Sequence, residues 1–318
     1  DVVRGVGKRL FFNNRNHEES GYETAYMPSL NQTGFSVGTD GSTNQDGQEY
    51  IAYCWKAGGN SVKNDEGVKK AGSQGIITDV SANPEAGFSV VRWTGSGQST
   101  SVSAPVELGH GLNDAPKFVI TKIYSGGNTS TTPNHWWYYF EEKYGDFRAL
   151  RATMGSFVYA YQDGQNALRL SLDENKKCLS ATGGFTTNNV KYVAYCWAEI
   201  PQYSKFGVYR GNGDAGGEVI FTGFKPAFLI IHKLLNNSNS ASGDYMVFVD
   251  SARNPTNMRG KHYLHPALAN GDDIENGTID FLSSGFRIRS SDNIFNTSYS
   301  TYFYAAWADS PFTNSTAK

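Results

Sequence analysis

Apolar residues in this chain fall into short runs separated by segments rich in Gly, Asn and Ser. FVITKIY (Phe118–Tyr124) and FLIIHKL (Phe228–Leu234) are apolar enough to be central strands of sheets. YVAYCWA (Tyr192–Ala198) alternates less cleanly, as a strand does when protein covers both of its faces. Tyr and Phe are frequent, with 19 residues each, and Gly reaches 35, which is typical of β-strands joined by polar turns. The pattern predicts an all-β protein.

One strand-like block occurs three times. YIAYCWKA near the start is answered by YVAYCWAE in the middle and by YFYAAWAD near the end. An internal repeat of this kind indicates repeated structural units, and here each unit has about 110 residues, the size of a β-sandwich. We expect tandem antiparallel β-sandwich repeats of lectin-like or jelly-roll-like type, with this block as the last core strand of each. The predicted structural core of the repeats is Tyr50, Trp55, Tyr192, Trp197, Tyr302 and Trp307.

Other short motifs recur at the same spacing and set the predicted boundaries of the units. WTGSG answers YRGNG, APKFVITK answers KPAFLIIHK, and GFSVG answers GFRIR. We predict complete β-sandwich repeats at 87–203 and 204–312 and a short tail at 313–318. The segment 58–86 is rich in Gly, Ser, Lys and Asn and is predicted to be a linker, with room for one short strand at Gly75–Val80.

The first unit is predicted to be incomplete. DVVR at Asp1–Arg4 aligns with DSAR at Asp250–Arg253, so residues 1–57 hold only the second half of a unit. Its opening strands would come from upstream sequence or from another chain. The chain begins at Asp1, without Met or a signal segment, and we expect it to be a piece of something longer.

Seven ordered blocks of this sequence resemble C-terminal modules of marine bacteriophage structural proteins, of the cyanophage and pelagiphage kind. They are DVVRGVGKRLFFNN, GFSVGTDGSTNQDGQEYIAYCWKAGGNSV, SANPEAGFSVVRWTGSG, HGLNDAPKFVITK, KYVAYCWAEIPQYSKFGVYRGNG, FTGFKPAFLIIHK and DFLSSGFRIRSS with YFYAAWADSPF. The resemblance covers nearly the whole chain. It implies a virion protein of a tail fibre or appendage, and it implies no enzymatic activity. The third block has lost the Cys and the second Tyr, which leaves those positions without an implied role.

The charge balance and the cysteine content limit the classes of partner and site that the sequence favours. With 28 basic and 30 acidic residues the formal net charge is −2, so nothing favours nucleic acid or anionic lipid, and no long apolar run favours membrane insertion. The three cysteines, Cys54, Cys178 and Cys196, form no CxxC pair or zinc pattern. We expect them to be buried thiols that behave as small hydrophobic residues.

Several motifs give weak signals for a phosphate loop, a glycosidase site or a metal site. WTGSG and YRGNG lack the GK[ST] of a phosphate loop, so hairpin turns are favoured. Glu141–Glu142 and Asp272–Asp273 do not alternate as glycosidase carboxylates on one strand would. His262 and His265 lack a third metal ligand, and DGSTNQDG at Asp40–Gly47 favours a hairpin over a calcium loop. We therefore expect no catalytic residue, no metal site and no cofactor.

The segment before WWYY is the best candidate for binding. A loop rich in Gly, Thr and Asn leads directly into Trp136 and Trp137, which must face opposite sides of a strand. We expect one of them to be buried and the other to lie at the surface, where it would stack on a sugar or pack against a neighbouring subunit. The candidate ligand-binding residues are Trp136, Trp137, Asn134 and Tyr124.

The sequence as a whole favours a non-enzymatic virion protein, exposed on the particle surface or tail, that acts as stalk, adaptor or host-glycan contact. Its partners would be other virion proteins, a homo-oligomer with a trimer favoured, and possible host surface glycan. Two alternatives stay open: a capsid decoration or head-fibre protein, and a carbohydrate-active enzyme or its carbohydrate-binding module.

Overall fold

A computed structural model gives the fold, and its described residues cover most of the chain. They are 1–11, 17–20, 24–31, 33–69, 74–98, 105–127, 136–143, 146–153, 156–159, 170–172, 177–234, 246–255, 260–266 and 273–309. Side chains are described for all of these except 141–143, 146–153, 156–159, 170–172, 260–261 and 273–278.

The chain divides into two units, which are described separately. Unit 1 comprises Asp1–Phe11, Arg15–Trp137 and Tyr161–Trp197, and unit 2 comprises Phe12–Asn14, Tyr138–Ala160 and Ala198–Lys318.

Unit 1 contains ten strands among its described residues, together with short helical turns. The strands are β1 (Ser29–Asn31), β2 (Gly34–Ser36), β3 (Val62–Asn64), β4 (Thr78–Asn83), β5 (Phe88–Thr94), β6 (Val106–Gly109), β7 (Pro116–Ser125), β11 (Leu170–Leu172), β12 (Cys178–Ala181) and β13 (Lys191–Ala198). The helices are α1 (Gly41–Asn44), α2 (Glu66–Lys69) and a 3₁₀ turn (Gly183–Phe185). The helices span a single turn each, so the strands define the architecture.

The larger sheet of unit 1 runs in the order β7-β13-β5-β4-β3, and a smaller sheet runs β11-β12-β6. The central strand, β13, is antiparallel to β5, with Tyr192 opposite Trp93 and Trp197 opposite Phe88. Large side chains are buried along both strands because protein covers the two faces of this sheet. The sequence block YVAYCWA therefore forms a central strand, as its incomplete alternation predicted.

The described part of the predicted linker at 58–86 contributes two strands to the larger sheet, and the one short strand predicted within it at Gly75–Val80 overlaps β4. β4 pairs with β5, placing Val80 opposite Val91, and β3 pairs with β4. Val80 is only 2% exposed, so β4 is part of the core. The Gly- and Lys-rich composition belongs to the turns that flank this hairpin and hid the alternation of the strand itself.

The described residues of unit 2 form two four-stranded antiparallel sheets, in the orders β14-β21-β16-β17 and β15-β20-β19-β18, and the strands β8, β9 and β10. Its strands are β8 (Trp137–Lys143), β9 (Asp146–Thr153), β10 (Ser156–Tyr159), β14 (Ser204–Arg210), β15 (Val219–Phe221), β16 (Pro226–Leu234), β17 (Met246–Asp250), β18 (Gly260–Tyr263), β19 (Asp273–Leu282), β20 (Gly285–Ile288) and β21 (Thr301–Ala308).

The core of unit 2 lies between its two four-stranded sheets. Leu229 and Ile231 of β16 and Tyr302 of β21 belong to the same buried cluster as Phe286 and Ile288 of β20. On the opposite face of the first sheet, the ring of Phe140 stacks on the ring of Phe303 with 4.4 Å between centroids. This is a β-sandwich, and the all-β prediction is confirmed. Within the described residues no helix is long enough to cross a membrane.

Candidate functional site

The predicted binding pair, Trp136 and Trp137, is buried on both sides. The exposed fraction is 2% for Trp136 and 3% for Trp137. The indole N–H of Trp136 donates to the carbonyl of Phe11 at 2.6 Å, and its ring lies 6.3 Å from the ring of Tyr195. Trp137 points the other way, edge-on to Phe185 at 6.4 Å. The two residues face opposite sides as strand geometry requires, but the predicted surface tryptophan is wrong because residues near the N-terminus cover the second face.

The other two candidate ligand-binding residues form no surface with the tryptophans. Tyr124 is 8% exposed, and its carbonyl accepts a hydrogen bond from the Glu18 N–H at 3.0 Å. Burial raises the pKa of the Tyr124 phenol. Asn134 lies outside the described residues, as do the side chains of Glu141, Glu142 and Asp272. The described part of the candidate glycan site is therefore interior.

A charged network holds the N-terminal residues to the sheet, and we call it the N-terminal anchor: Asp1, Arg4, Glu18 and Tyr195. The Arg4 guanidinium donates from Nε to Asp1 Oδ2 at 2.6 Å, from Nη1 to Glu18 Oε2 at 2.8 Å and from Nη2 to the Tyr195 hydroxyl at 3.3 Å. Tyr195 in turn donates to Asp1 Oδ2 at 2.8 Å. Arg4 is 8% exposed, so its charge is nearly buried and is matched by two carboxylates. The pattern of apolar and polar residues does not predict this network. In the sequence, DVVR is distinguished only by its similarity to DSAR at Asp250–Arg253.

Lys122 is a second buried cation on the same strand as Tyr124. Its side chain is 0% exposed, and Nζ lies 5.6 Å from the centroid of the Trp136 ring, within the range of a cation–π contact. Burial lowers the pKa of Lys122 to about 8, because the charged form is disfavoured away from water. A lysine within the apolar run FVITKIY was the available sequence signal for this position. Its burial keeps the amine away from any substrate in solution.

The predicted core tyrosines of both units form the same local bond, a tyrosine corner. The hydroxyl of Tyr302 accepts from the Thr297 N–H at 2.7 Å and donates to the Asn293 carbonyl at 2.7 Å. The hydroxyl of Tyr192 donates to the Gly184 carbonyl at 2.6 Å. Both tyrosines are 0% exposed. Each thus fixes the loop that precedes its strand, and their prediction as core residues is confirmed together with that of Trp197 and Trp307, at 5% and 4% exposure.

The first copy of the block behaves differently, and Tyr50 corrects the prediction. Tyr50 is 50% exposed, and residues 50–57 form no strand within the described chain. Its hydroxyl still accepts from the Gln45 N–H at 2.9 Å and donates to the Gly41 carbonyl at 2.7 Å. Trp55 is partly buried, with its ring 5.4 Å from that of Trp197. Tyr50 therefore forms the hydrogen bonds of a tyrosine corner although its ring is half exposed.

The two glycine turns are engaged by their own units. The Gly97 N–H donates to the Thr186 carbonyl at 2.8 Å, and in unit 2 the Gly213 N–H donates to the Asn296 carbonyl at 2.9 Å. Both glycines have φ of +75°, a conformation that side chains rarely adopt. These turns close the ends of β5 and β14 against a neighbouring loop, instead of forming the predicted hairpins or a cradle for phosphate.

Metal-binding chemistry finds little support in the described residues, where no group of three or more His, Cys, Asp or Glu side chains could hold an ion. The carboxylate of Asp40 accepts from the N–H of Ser42 and caps α1, so DGSTNQDG forms a helical turn and the predicted hairpin is wrong. These bonds with Ser42 lower the pKa of Asp40. His265 is 7% exposed and stands edge-on to the ring of Tyr263 at 5.2 Å.

The cysteines divide into two kinds. Cys178 and Cys196 are buried, as predicted, and burial raises the pKa of Cys196 to about 12, which suppresses its thiolate. Cys54 is exposed, which corrects its prediction as a buried thiol. Partial desolvation raises the pKa of Cys54 as well, so it is not an activated nucleophile.

Comparison with curated proteins and with solved structures finds no match to this chain. One family model matches residues 1–311, which is nearly the whole length. The chain therefore belongs to the family described as a domain of unknown function, DUF7483.

Proposed function

We propose that this chain is a non-enzymatic structural protein of a phage virion, carried in a tail fibre or related appendage as a stalk or adaptor made of tandem β-sandwiches. The observation that carries the proposal is the recurrence of one set of aromatic contacts in both units. Repetition of a rigid module is the usual way to extend a protein along one direction, and such modules need no reactive groups.

The inner faces of the two units show the first of these contacts. The rings of Trp93 and Tyr192 stack with centroids 5.0 Å apart and an interplanar angle of 12°. The rings of Tyr209 and Tyr302 stack at 5.0 Å and 7°. In each unit the pair lies directly across two neighbouring strands, the first and the last of the proposed repeat, and buries a large area between them.

The polar ends of the first ring in each pair are also bonded alike. The indole N–H of Trp93 donates to the Phe185 carbonyl at 2.9 Å, and the hydroxyl of Tyr209 donates to the Phe295 carbonyl at 2.7 Å. Different donor groups thus reach the equivalent carbonyl of the loop before the last strand. This substitution with retained bonding supports a common origin of the two units as copies of one fold.

The aromatic contacts on the outer faces of the two units also match. Phe118 stacks on Trp197 with 5.3 Å between centroids, and Phe228 stacks on Trp307 with 5.4 Å. The strand order is also matched, because β13 lies between β5 and β7 while β21 lies between β14 and β16. We therefore propose that residues 87–203 and 204–312 are tandem repeats, with β3 and β4 as an addition at one edge of the first.

The virion part of the proposal comes from the resemblance of seven sequence blocks to marine phage structural proteins. A host-glycan contact at Trp136 and Trp137 is withdrawn, since both are buried. A homo-oligomer, with a trimer favoured, and neighbouring virion proteins stay the proposed partners. A head-fibre or capsid-decoration role is the neighbouring alternative within the same class.

The test is to find the protein in a particle. Virions of a phage that encodes this chain would be purified, quantified by mass spectrometry and labelled with antibodies raised against the recombinant chain. We expect a fixed copy number per particle and label on the tail, with light scattering of the purified chain giving three copies per oligomer. Label on the head would transfer the proposal to a capsid role, and expression in infected cells without incorporation into virions would refute it.

A further inference from the structure

The described part of residues 1–57 contains three local structures that match those of half a sandwich, and side chains on the matching inner face are exposed. The first sign is the tyrosine corner of Tyr50, whose hydroxyl accepts from the N–H five residues earlier and donates to the carbonyl nine residues earlier. Tyr302 makes the same two bonds at the same two offsets. The turn before residue 50 is therefore built like the turn before β21.

The second sign is the hairpin formed by β1 and β2. Its closing pairs are Leu30 opposite Phe35 and Asn31 opposite Gly34. The hairpin of β19 and β20 closes with Phe281 opposite Phe286 and Leu282 opposite Gly285, which is the same register around a two-residue loop. Because register fixes which side chains share a face, Phe35 occupies the place that Phe286 has in unit 2.

The third sign is the turn at Asp1. Its carboxylate accepts from the Arg4 N–H at 3.0 Å and pairs with Arg4 Nε at 2.6 Å. Asp250 repeats this with Arg253, at 2.9 Å for the N–H and 2.7 Å for Nε. Three separate local structures, spread over residues 1–57, thus have counterparts in the same order in unit 2.

Exposure is where the two sets differ. Phe35 is 38% exposed and Tyr50 is 50% exposed, whereas their counterparts Phe286 and Tyr302 are both 0% exposed. Val37 is 42% exposed, and its counterpart Ile288 is 0% exposed. Exposed apolar groups that share one face and are buried in an equivalent fold mark a docking surface. We call Phe35, Val37 and Tyr50 the acceptor face.

Unit 2 shows what covers such a face. β14 and β16 pair with the two edges of β21, and β15 pairs with β20. The ring of Tyr209 stacks on the ring of Tyr302. Ile220 and Leu229 are buried in the same cluster as Phe286. The covering strands β14, β15 and β16 all lie within 204–234, and β17 follows them and ends at Asp250.

We propose that residues 1–57 are the acceptor half of a third sandwich and bind a donor segment with the sequence pattern of residues 204–249. The pattern is an aromatic residue followed by R-G-x-G, a short strand, and a Pro-led apolar strand. Since Asp1 corresponds to Asp250, a donor of this pattern that is joined directly ahead of Asp1 would have the same connection to the acceptor face that residues 204–249 have in unit 2. This inference rests on geometry within the chain and holds whether or not the protein is part of a virion.

The contact already made by Trp55 does not compete with this donor. Residues 50, 52 and 54 share one face of an extended segment and residues 51, 53 and 55 share the other. Trp55 packs on Trp197 of unit 1, so the opposite face, with Tyr50 and Cys54, is the one left for the donor. The counterparts of Cys54 in the two complete units, Cys196 and Ala306, are both 0% exposed.

The test is a chimera in which residues 204–249 are joined directly ahead of Asp1 in the full chain. Alkylation of Cys54 by iodoacetamide, followed by peptide mass spectrometry, reports cover of the acceptor face, while Cys178 and Cys196 serve as buried references. We expect Cys54 labelling to slow by at least about tenfold, since exchange of a buried group requires local opening. Hydrogen exchange should slow in residues 29–36 and 50–57 as well. Equal Cys54 labelling in chimera and parent would overturn the proposal.

A matched control carries Tyr209→Ser and Leu229→Asn in the added copy alone, which removes its ring stack and its core contact. Cys54 should then label at the rate of the parent chain, and protection that persists in this control would overturn the specific pairing. If the chimera exposes Cys178 and Cys196, it has misfolded. The parent chain would then be mixed with a peptide of residues 204–234, and absence of Cys54 protection there also counts against the donor. Protection found only in a dimer would assign the donor to a second copy and refute the in-chain order.

Discussion

The tyrosine corner allows one bond to be measured in two surroundings, with Tyr302→Phe as the perturbation and Tyr50→Phe as its partner. Tyr302 is 0% exposed, and its hydroxyl makes two hydrogen bonds of 2.7 Å to the backbone of Thr297 and Asn293. Removing the hydroxyl leaves a backbone donor and a backbone acceptor without that partner in a largely buried place, which costs about 1–3 kcal/mol. Tyr50 makes the same two bonds but is 50% exposed, so water replaces them and the cost should be about 0.5 kcal/mol or less.

Guanidinium unfolding followed by hydrogen exchange gives the assay, because a chain of two units need not unfold in one step. Exchange of the amides in residues 293–304 reports the free energy of opening around Tyr302, and exchange of the amides in residues 41–50 reports it around Tyr50. Tyr299→Phe is the matched control, since that ring is 74% exposed and its change should be close to neutral. A free energy of opening that falls equally for Tyr50→Phe and Tyr302→Phe would refute the argument that burial sets the value of this bond, and so would no change for Tyr302→Phe.

Three further predictions concern Lys122, Gly213 and Trp137. Lys122→Met should stabilise the protein by up to about 3 kcal/mol at pH 7, because the parent lysine has its pKa lowered to about 8 from 10.5 and the unfolded state binds the proton more tightly. The parent's own free energy of unfolding should therefore rise between about pH 8 and about pH 10.5, and a flat profile in Lys122→Met is the check. Gly213→Ala should cost about 1–2 kcal/mol, more than Gly223→Ala, since both have positive φ but only at Gly213 would the new methyl lie 3.1 Å from a neighbouring side chain. Trp137→Ala should cost about 3–5 kcal/mol in thermal or denaturant unfolding, and a near-neutral result would contradict its assignment to the core.

Sequence patterning predicted the strands with the strongest signal. The blocks around Trp197 and Trp307 became the central strands β13 and β21, because each carries large apolar residues on both faces and can be stable only inside a sheet. Patterning located β4 only in part, because it allowed one short strand at Gly75–Val80 whereas β4 is Thr78–Asn83. Thr78 and Ser81 are buried polar residues, which alternation rules assign to a loop or an exposed face. The Thr78 hydroxyl donates to the Gly109 carbonyl at 2.8 Å, a long-range bond that composition does not reveal.

The candidate site failed for a related reason. Strand geometry correctly requires Trp136 and Trp137 to face opposite sides, but it does not say whether the second side meets water or protein. The covering groups come from Phe11 and Tyr195, distant in sequence from the tryptophans and from each other. To predict that a strand residue is exposed, one must know every segment that packs on that strand. The sequence repeats predict which strands pack in the core, but they do not show that Phe11 and Tyr195 cover Trp136.

Tyr50 separates what a repeat determines locally from what it determines only in a complete fold. Hydrogen bonds over five and nine residues depend on the turn before the tyrosine, and the turn keeps them in the first copy as in the third. Burial of the Tyr302 ring depends on strands within 204–234, including the stacked ring of Tyr209, and Tyr50 is half exposed where Tyr302 is fully buried. Since the turn forms both bonds while the ring of Tyr50 is half exposed, burial of the ring is not required for them. An acceptor half that is already folded in this way has less conformational entropy to lose when donor strands bind, and this is the physical reason to expect that added strands of the right pattern will dock on it.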